Sequence, residues 1–279
     1  MRKMCFVGEM VFGSMPNDGG YLSDYSDEQK NEIIKKYSQT EKMFRPILGA
    51  TEFINNKTRW CLWLKGLSPK EIQGVPPVLE AIKNVATLRK ESNRESTRRL
   101  ADVPMLFGEI RQPENGNYLL IPSTSSENRR YVPIGFLPHT IIASNANLLI
   151  PNATLYEFGV LTSNVHMAWM RAVAGRLKSD YRYSASIVYN NFPWSTSTEE
   201  QKAKIEQTAQ AILDARALYS DCSLADLYDE LTMPPELRKA HQANDKAVMQ
   251  AYGFWGKINT ESECVAELMK MYQKLTKEK

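Results

Sequence analysis

The most informative stretch of the sequence is Gly175-Arg-Leu-Lys-Ser-Asp-Tyr-Arg-Tyr-Ser184, which continues through Ile187-Val-Tyr-Asn-Asn-Phe-Pro-Trp194. Side chains of an extended segment alternate between two faces, so Lys178, Asp180 and Arg182 are predicted to project together from one side. Lysine donates hydrogen bonds, aspartate accepts them and arginine presents a planar fork. This mixture is suited to reading the edges of base pairs. The alternative is a solvated strand end whose charges neutralise each other.

The composition is that of an ordinary globular protein, with 43% hydrophobic and 24% charged residues among 279. This length allows one large domain or two of ordinary size. No apolar run reaches the length of a membrane span, and the N-terminal Met1–Val7 lacks the apolar core of a secretion signal. We therefore expect a cytoplasmic location and no membrane partner.

Cysteines and histidines are scattered along the chain without the spacing of metal ligands. The four cysteines predict free thiols in a reducing compartment: Cys5, Cys61, Cys222 and Cys264. The three histidines form no H-x-x-x-H pair: His139, His166 and His241. The sequence therefore predicts neither a metal site nor a disulfide framework.

Positive charge is concentrated in the middle of the chain. Residues 86–196 carry 12 Lys and Arg against 8 Asp and Glu, a net of +4, whereas residues 197–279 carry 11 against 14, a net of −3. The middle therefore has a modest bias toward a polyanionic partner. Five arginines are candidate phosphate ligands or, equally well, parts of solvated surfaces: Arg94, Arg98, Arg99, Arg129 and Arg130.

The first part of the chain predicts a helix and a hairpin. Ser26-Asp-Glu-Gln29 is a capping box that begins a helix. The apolar segments Phe44–Ile54 and Thr58–Leu64 flank an Asn-Asn-Lys turn and predict a β-hairpin. Trp60 and Trp63 in this hairpin are expected in the core, although tryptophan can also stack on bases.

From Val103 to Leu161 the pattern is typical of short strands separated by polar turns. The predicted strands are Leu106–Arg111, Tyr118–Pro122, Tyr131–Phe136, Ile141–Ala143, Asn147–Ile150 and Leu155–Leu161. A helix follows, capped at Thr162 or Ser163, with an apolar stripe at helical spacing. His166 lies off this stripe and is predicted to be a surface or cap residue.

After Trp194 the sequence predicts a bundle of four helices. Their start signals are at Thr198, Ser223, Pro234 and Thr260. The expected fold class is therefore α+β, with a β-rich part and flanking helices followed by a C-terminal helical bundle.

No catalytic constellation is present in the sequence. Asn190-Asn-Phe-Pro-Trp194 differs from the Asn/Asp-Pro-Pro-aromatic tetrad of amino-methyltransferases, because it lacks two consecutive prolines and has Pro193 alone. The glycine-rich stretch Gly13–Gly20 lacks the spacing of a phosphate-binding loop. We therefore expect no catalytic centre in this chain.

Several segments, occurring in the family's order, resemble the target-recognition domain of MmeI-type restriction–modification enzymes. They are Glu52-Phe-Ile54, Arg59-Trp-Cys-Leu-Trp63, Gly108-Glu-Ile-Arg111, Ser125-Ser-Glu-Asn-Arg-Arg-Tyr131, Ile150-Pro-Asn-Ala-Thr-Leu155 and Arg176–Trp194. The resemblance implies a junction with a missing methyltransferase domain at residues 1–25, a DNA target-recognition domain at 26–196 and a helical subdomain at 197–279.

The resemblance also implies a role and partners. The chain would recognise double-stranded DNA for a bacterial enzyme whose adenine methyltransferase and nuclease domains belong to the same parent polypeptide. S-adenosylmethionine and Mg²⁺ would serve that parent enzyme and bind outside this chain, so no cofactor is expected here.

Lys178 and Asp180 fall where the resemblance implies a base-reading pair. Lysine can donate to guanine while aspartate accepts from the paired cytosine, which predicts a G·C pair. Arg182, Asn145 and Ala146 resemble further base-contact positions of the family. Two alternatives from other classes remain open: a non-catalytic protein–protein scaffold, and an enzyme with unrecognised chemistry.

Overall fold

The computed structural model describes residues 7–277, and this range contains eleven α-helices and ten short strands. The helices are α1 (Asp27–Lys36), α2 (Ala50–Ile54), α3 (Pro69–Gln73), α4 (Pro76–Lys90), α5 (Glu95–Arg99), α6 (Leu155–Leu161), α7 (Asn164–Val173), α8 (Glu199–Ala217), α9 (Leu224–Leu227), α10 (Pro235–Ala251) and α11 (Glu261–Lys277). The strands are β1 (Val11–Phe12), β2 (Phe44–Leu48), β3 (Trp60–Leu62), β4 (Asn117–Pro122), β5 (Thr124–Ser125), β6 (Gly135–Pro138), β7 (Ile142–Ala143), β8 (Asn147–Pro151), β9 (Gly175–Leu177) and β10 (Asp180–Arg182). The predicted α+β class with a C-terminal helical region is confirmed.

The described residues divide into two compact units. Unit 1 comprises the described parts of Met1–Val11, Gly116–Leu137 and Leu148–Lys279. Unit 2 comprises Phe12–Asn115 and Pro138–Asn147. Each unit therefore combines segments that are distant in the sequence.

Unit 2 is built on the three-stranded sheet β3-β2-β7. Strand β2 pairs antiparallel with β3 and parallel with β7. The two predicted strands therefore pair antiparallel, as expected. The connection between them is not the expected tight turn, because α2 occupies the end of the first predicted strand. Gly49 N–H donates to the Glu52 carboxylate at 2.7 Å, which caps that helix. Trp63 is buried as expected, whereas Trp60 is only half-buried and its indole N–H donates to Asp27.

Unit 1 carries a four-stranded sheet of order β1-β8-β4-β6, a small sheet of order β5-β10-β9, and α6 to α11. Helix α8 packs against α10 and α6, and α11 packs against α7. One apolar core includes Phe158, Trp169, Ile205 and Leu237. Helices from both sides of residue 196 therefore share a core in unit 1.

Gly159 of α6 permits the close approach of α8. A Cβ atom there would lie 2.7 Å from Ile205 and 3.1 Å from Ala209. Asn244 of α10 donates from its side chain to the Gly159 carbonyl at 2.8 Å and accepts from Thr208 at 3.1 Å. This contact joins three helices and fixes their spacing.

Local capping signals were reliable in the sequence, and strand signals less so. The predicted helix starts after Ser26, Ser163, Thr198, Ser223 and Thr260 are confirmed. The predicted strand at Leu155–Leu161 is wrong, because Thr154 and Glu157 form a capping box that begins α6. The predicted strand at Leu106–Arg111 is also wrong: Gly108 N–H donates to the Pro16 carbonyl, and only Glu109 of that segment forms a bridge.

Three cysteines of the described chain are free thiols. Cys61 and Cys264 are buried and Cys222 is half-buried. Burial raises the pKa of Cys61 to about 12 and that of Cys264 to about 11, which keeps both thiols protonated. Cys5 lies outside the described residues.

Candidate nucleic-acid interface

The stretch Gly175–Arg182 is a hairpin. Strands β9 and β10 pair antiparallel, with Leu177 opposite Asp180, and the chain reverses at Lys178 and Ser179. Lys178 has a φ of 56°, in the left-handed region. The expectation that Lys178, Asp180 and Arg182 alternate along one extended strand is therefore wrong, because Lys178 belongs to the turn.

One face of the hairpin is attached to unit 1. Tyr181 is buried on this face, and the Arg176 guanidinium lies 3.8 Å from the centre of its ring. Arg176 also donates to the Ser179 carbonyl at 2.6 Å and lies 3.4 Å from the Glu127 carboxylate. Arg176 therefore stabilises the turn, and its guanidinium is occupied by contacts within the fold.

The opposite face is open. Asp180 and Arg182 share it, because they are two residues apart on β10. Arg182 and Lys178 are exposed and Asp180 is half-buried. Within the described part of the chain these three side chains make no hydrogen bond or ion pair, so their donors and acceptors are available to a ligand.

A buried hydrogen bond anchors the end of β10. Tyr183 N–H donates to the Ser123 carbonyl, and the Tyr183 hydroxyl lies 2.8 Å from His166 Nε2. His166 is fully buried, and burial lowers its pKa to about 3, so the imidazole is neutral. Of its two predicted roles the surface position is wrong, because α7 is buried continuously from Val165 to Met170 and leaves no solvated face there. His166 does take part in the helix cap, since its backbone N–H donates to Ser163 Oγ at 3.3 Å.

Asn145 and Ala146 lie at the tip of a tight turn in unit 2, between β7 and β8. Asn147 N–H closes the turn by donating to the Ser144 carbonyl at 3.0 Å. Both tip residues are exposed, while Ser144 and Asn147 are buried. The turn therefore presents an amide and a methyl group to solvent from a fixed base.

The basic segment 88–100 of unit 2 separates into two kinds of arginine. Arg94, Arg98 and Arg99 are exposed on or beside α5, where Arg99 pairs with Glu95 at 2.6 Å. Arg98 donates to the Ser92 carbonyl at 2.8 Å. These positions are compatible with phosphate contact, since exposed pairs are weak and exchange easily.

Arg89 of the same segment differs from these three arginines, and the sequence carries no local signal of that difference. Arg89 is fully buried, and its guanidinium donates to five backbone carbonyls. The acceptors are Pro16, Asn17, Leu100, Val103 and Leu106, at 2.8 to 3.2 Å. We call this arrangement the Arg89 clasp.

Arg129 and Arg130 line a cleft of about 530 Å³ in unit 1. Arg171 and the carboxylates of Glu127, Glu230 and Glu261 line it too. Arg171 is held by Glu261 through two hydrogen bonds of 2.7 Å. The carboxylates offset the arginines, which makes this cleft a weaker attraction for phosphate than the arginines alone would suggest.

Groups that hold a metal ion are absent from the described residues, where no three His, Cys, Asp or Glu side chains cluster suitably. Residues 7–277 also contain no helix long and apolar enough to cross a membrane. The chemistry on offer at the hairpin and the Asn145 turn is hydrogen bonding and charge.

Comparison with known proteins identifies the family. Residues 1–196 match the model of the MmeI target recognition domain, and residues 197–278 match that of the MmeI C-terminal domain. DNA methyltransferase A of Bacillus subtilis (strain 168) is 38% identical over 268 residues, which are 96% of this chain and 30% of that protein.

A solved structure gives the same answer. The type IIL restriction–modification enzyme MmeI in complex with DNA superposes with a TM-score of 0.96 at 49% identity, over 99% of this chain and 37% of that one. The chain thus spans about a third of the length of either relative. The resemblance noted in the sequence is confirmed, and the chain belongs to the MmeI family, matching its target recognition and C-terminal domains.

Proposed function

We propose that this chain recognises a specific sequence in double-stranded DNA, as the specificity-determining part of a type II restriction–modification enzyme. The observation that carries the proposal is the open end of the hairpin, where the side chains of Asp180 and Arg182 on one face and of Lys178 in the turn make no hydrogen bond or ion pair within the described fold. A two-stranded β-ribbon fits the major groove, where each base pair shows a distinct pattern of donors and acceptors. The solved relative was determined in complex with DNA.

Lys178 and Asp180 read a G·C pair in this proposal. The ammonium donates to guanine O6 and N7, and the carboxylate accepts from the cytosine amine. Both groups lie at the tip of the hairpin, one in the turn and one at the first position of β10. Arg182, Asn145 and Ala146 supply further contacts, since arginine suits guanine, asparagine suits adenine and a methyl group suits thymine.

The five arginines Arg94, Arg98, Arg99, Arg129 and Arg130 contact phosphates in this proposal. Neutralising one contact should weaken binding to all duplexes alike and reduce the slope of log K against log salt by roughly 0.9. The measurement is a salt titration of each Arg→Gln variant of the 279-residue chain. An unchanged slope in all five variants would remove these residues from the interface.

The parent polypeptide completes the proposal. Residues 1–25 form the junction with its adenine methyltransferase and nuclease domains, residues 26–196 recognise the target and residues 197–279 support the recognition sheet. S-adenosylmethionine and Mg²⁺ serve those other domains, and the enzyme works in the bacterial cytoplasm. What supports this is the family and the core that residues 197–277 share with α6 and α7.

The test is a binding selection from a random duplex library. It compares the wild type with a double variant that carries both Lys178→Glu and Asp180→Arg. The exchange should invert the preferred base pair at one position and leave the others unchanged. Each single substitution should lose roughly 1–3 kcal/mol of discrimination there, because one base edge then faces a mismatched partner.

The matched control exchanges two exposed charges of α8, Lys204→Glu with Asp214→Arg, which preserves the net charge. It should select the wild-type sequence. If the hairpin exchange selects the same base as the wild type at every position, Lys178 and Asp180 do not read the sequence. If the wild type shows no sequence preference, the proposed function itself is wrong.

A further inference from the structure

Leu177 occupies an unusual place on the hairpin. Its side chain is 52% exposed and stands opposite Asp180, on the same face of the two strands. The other face is closed by the Arg176–Tyr181 contact. Leu177 is therefore the large apolar side chain on a face that otherwise presents the charged groups of Asp180 and Arg182.

The fold does not account for this leucine. Leu177 belongs to neither apolar core of the described chain and is not among the partly buried residues packed against them. It lies on β9, the edge strand of its sheet, where proteins usually place charged side chains to prevent association. A leucine there exposes apolar surface to water without a compensating contact.

We propose that Leu177 contacts the C5 methyl group of a thymine in the base pair next to the one that Lys178 and Asp180 read. This inference rests on the proposed function. Thymine's methyl is the apolar group on the major-groove edges of the four standard bases, so it is the feature that a leucine can recognise there. Leu177 is adjacent to Lys178 in the chain and opposite Asp180, so a neighbouring base pair lies within its reach.

Replacing single thymines of the selected duplex by deoxyuridine tests this contact, because the exchange removes one methyl group and leaves hydrogen bonding intact. The wild type should lose roughly fourfold to tenfold in affinity at one position. This is the effect expected when one buried methyl group and its apolar contact are lost. Leu177→Ala should bind the thymine and deoxyuridine duplexes with nearly equal affinity at that position.

Ile187→Ala is the matched control. Ile187 is 50% exposed, close to the value for Leu177, and it also lies outside the apolar cores. Its variant should retain the wild-type ratio of affinities for thymine and deoxyuridine. Melting curves of both variants should match the wild type, which separates loss of contact from loss of fold.

The outcomes distinguish this inference from the proposed function. A selected sequence without thymine beside the G·C pair overturns the Leu177 contact, as does equal wild-type binding to thymine and deoxyuridine at every position. An unchanged ratio in Leu177→Ala overturns it too, and in these cases sequence-specific binding stands. A wild type that shows no sequence preference overturns both.

Discussion

The basic segment Leu88–Leu100 of unit 2 and the hairpin Gly175–Arg182 of unit 1 both mix arginines with polar residues, yet they present their charges differently. In the first, Arg89 is fully buried in its clasp while Arg94 is exposed. In the second, Arg176 is held by the turn and Arg182 is exposed, without a partner among the described residues. Each region therefore contains one arginine that supports the fold and another that can meet a ligand.

The number of backbone carbonyls within hydrogen-bonding distance determines whether an arginine supports the fold or is available to a ligand. At the end of α4, carbonyls from Pro16, Asn17 and three residues beyond α5 converge on Arg89. Burial lowers the pKa of the Arg89 guanidinium, and the nearby Asp18 carboxylate opposes that shift. Arg182 instead stands opposite Gly175, which offers no side chain. Backbone environment, more than composition, separates structural arginines from available ones.

The largest expected effect comes from removing the Arg89 clasp. Arg89→Met keeps much of the side-chain volume but removes five buried hydrogen bonds, so the free energy of unfolding should fall by about 3–5 kcal/mol. The carbonyls of Pro16, Leu100 and Val103 keep a backbone N–H donor, so the loss falls mainly on those of Asn17 and Leu106. Guanidinium denaturation of the 279-residue chain measures this loss.

Arg94→Met is the control within the same segment. Its side chain is exposed, and its hydrogen bonds involve the backbone N–H and carbonyl, so stability should change by less than about 0.5 kcal/mol. Equal losses in the two variants would contradict the distinction between structural and available arginines.

Unit 1 also contains a buried charged group, a carboxylate that has fewer hydrogen-bond partners than Arg89. Asp245 is 6% exposed and accepts hydrogen bonds from the Tyr131 hydroxyl at 2.6 Å and Asn164 N–H at 2.7 Å. Burial raises the pKa of Asp245 from 3.8 to about 6, and these hydrogen bonds with the charges of Arg130 and Arg171 only partly oppose the rise.

The direction of the pH effect follows from linkage. Between about pH 4 and pH 6 the folded chain binds a proton at Asp245 that the unfolded chain has released, so stability contributed by this group falls as pH rises. The loss is complete above about pH 6 and amounts to about 3 kcal/mol at most, from the shift between 3.8 and about 6.

Denaturation at several pH values compares Asp245→Asn with the wild type. Because the substituted asparagine does not titrate, the variant should gain stability relative to the wild type as pH rises from about 4 to about 6. Other carboxylates contribute equally to both proteins and cancel in the difference. A constant difference across this range would show that Asp245 is not the titrating group.

The sequence predicted the elements whose signals are local. Thr198 and Ser223 accept hydrogen bonds from backbone N–H groups three residues later. The sequence signal for each helix start therefore lies within four consecutive residues. Thr154 and Glu157 carried the same signal, but the β-rich segments before them favoured a strand. Competing local patterns caused that error.

Features that depend on distant segments could not be predicted. The Arg89 clasp needs carbonyls on both sides of α4 in the chain, and His166 is buried because Tyr183 and Phe192 cover it. The turn at Lys178 has no Gly, Asn or Asp at its left-handed position to announce it. Lys178 and Asp180 were selected by family resemblance and by their chemistry, and their role stays a prediction.

The smallest expected effect concerns the backbone of Lys178. A lysine held in the left-handed region is strained by roughly 1 kcal/mol, whereas glycine adopts it freely but loses more conformational entropy on folding. Lys178→Gly should therefore raise the free energy of unfolding by about 0.5 kcal/mol. Asn56→Gly is the matched control: Asn56 has a φ of 50°, and since asparagine tolerates this region its gain should be nearer zero.

The value of Lys178→Gly lies in measuring stability and specificity on the same protein. If the ammonium reads guanine, the variant should be slightly more stable and yet lose its base preference at one position in the selection. Backbone strain retained at the tip of an exposed hairpin then has a functional cause, because the fold alone would favour glycine there. The free energy of unfolding of each variant is compared with that of the wild type. If the change for Lys178→Gly is less favourable than the change for Asn56→Gly, the lysine side chain supports the hairpin. Its exposed position, and its lack of partners among the described residues, argue against that outcome.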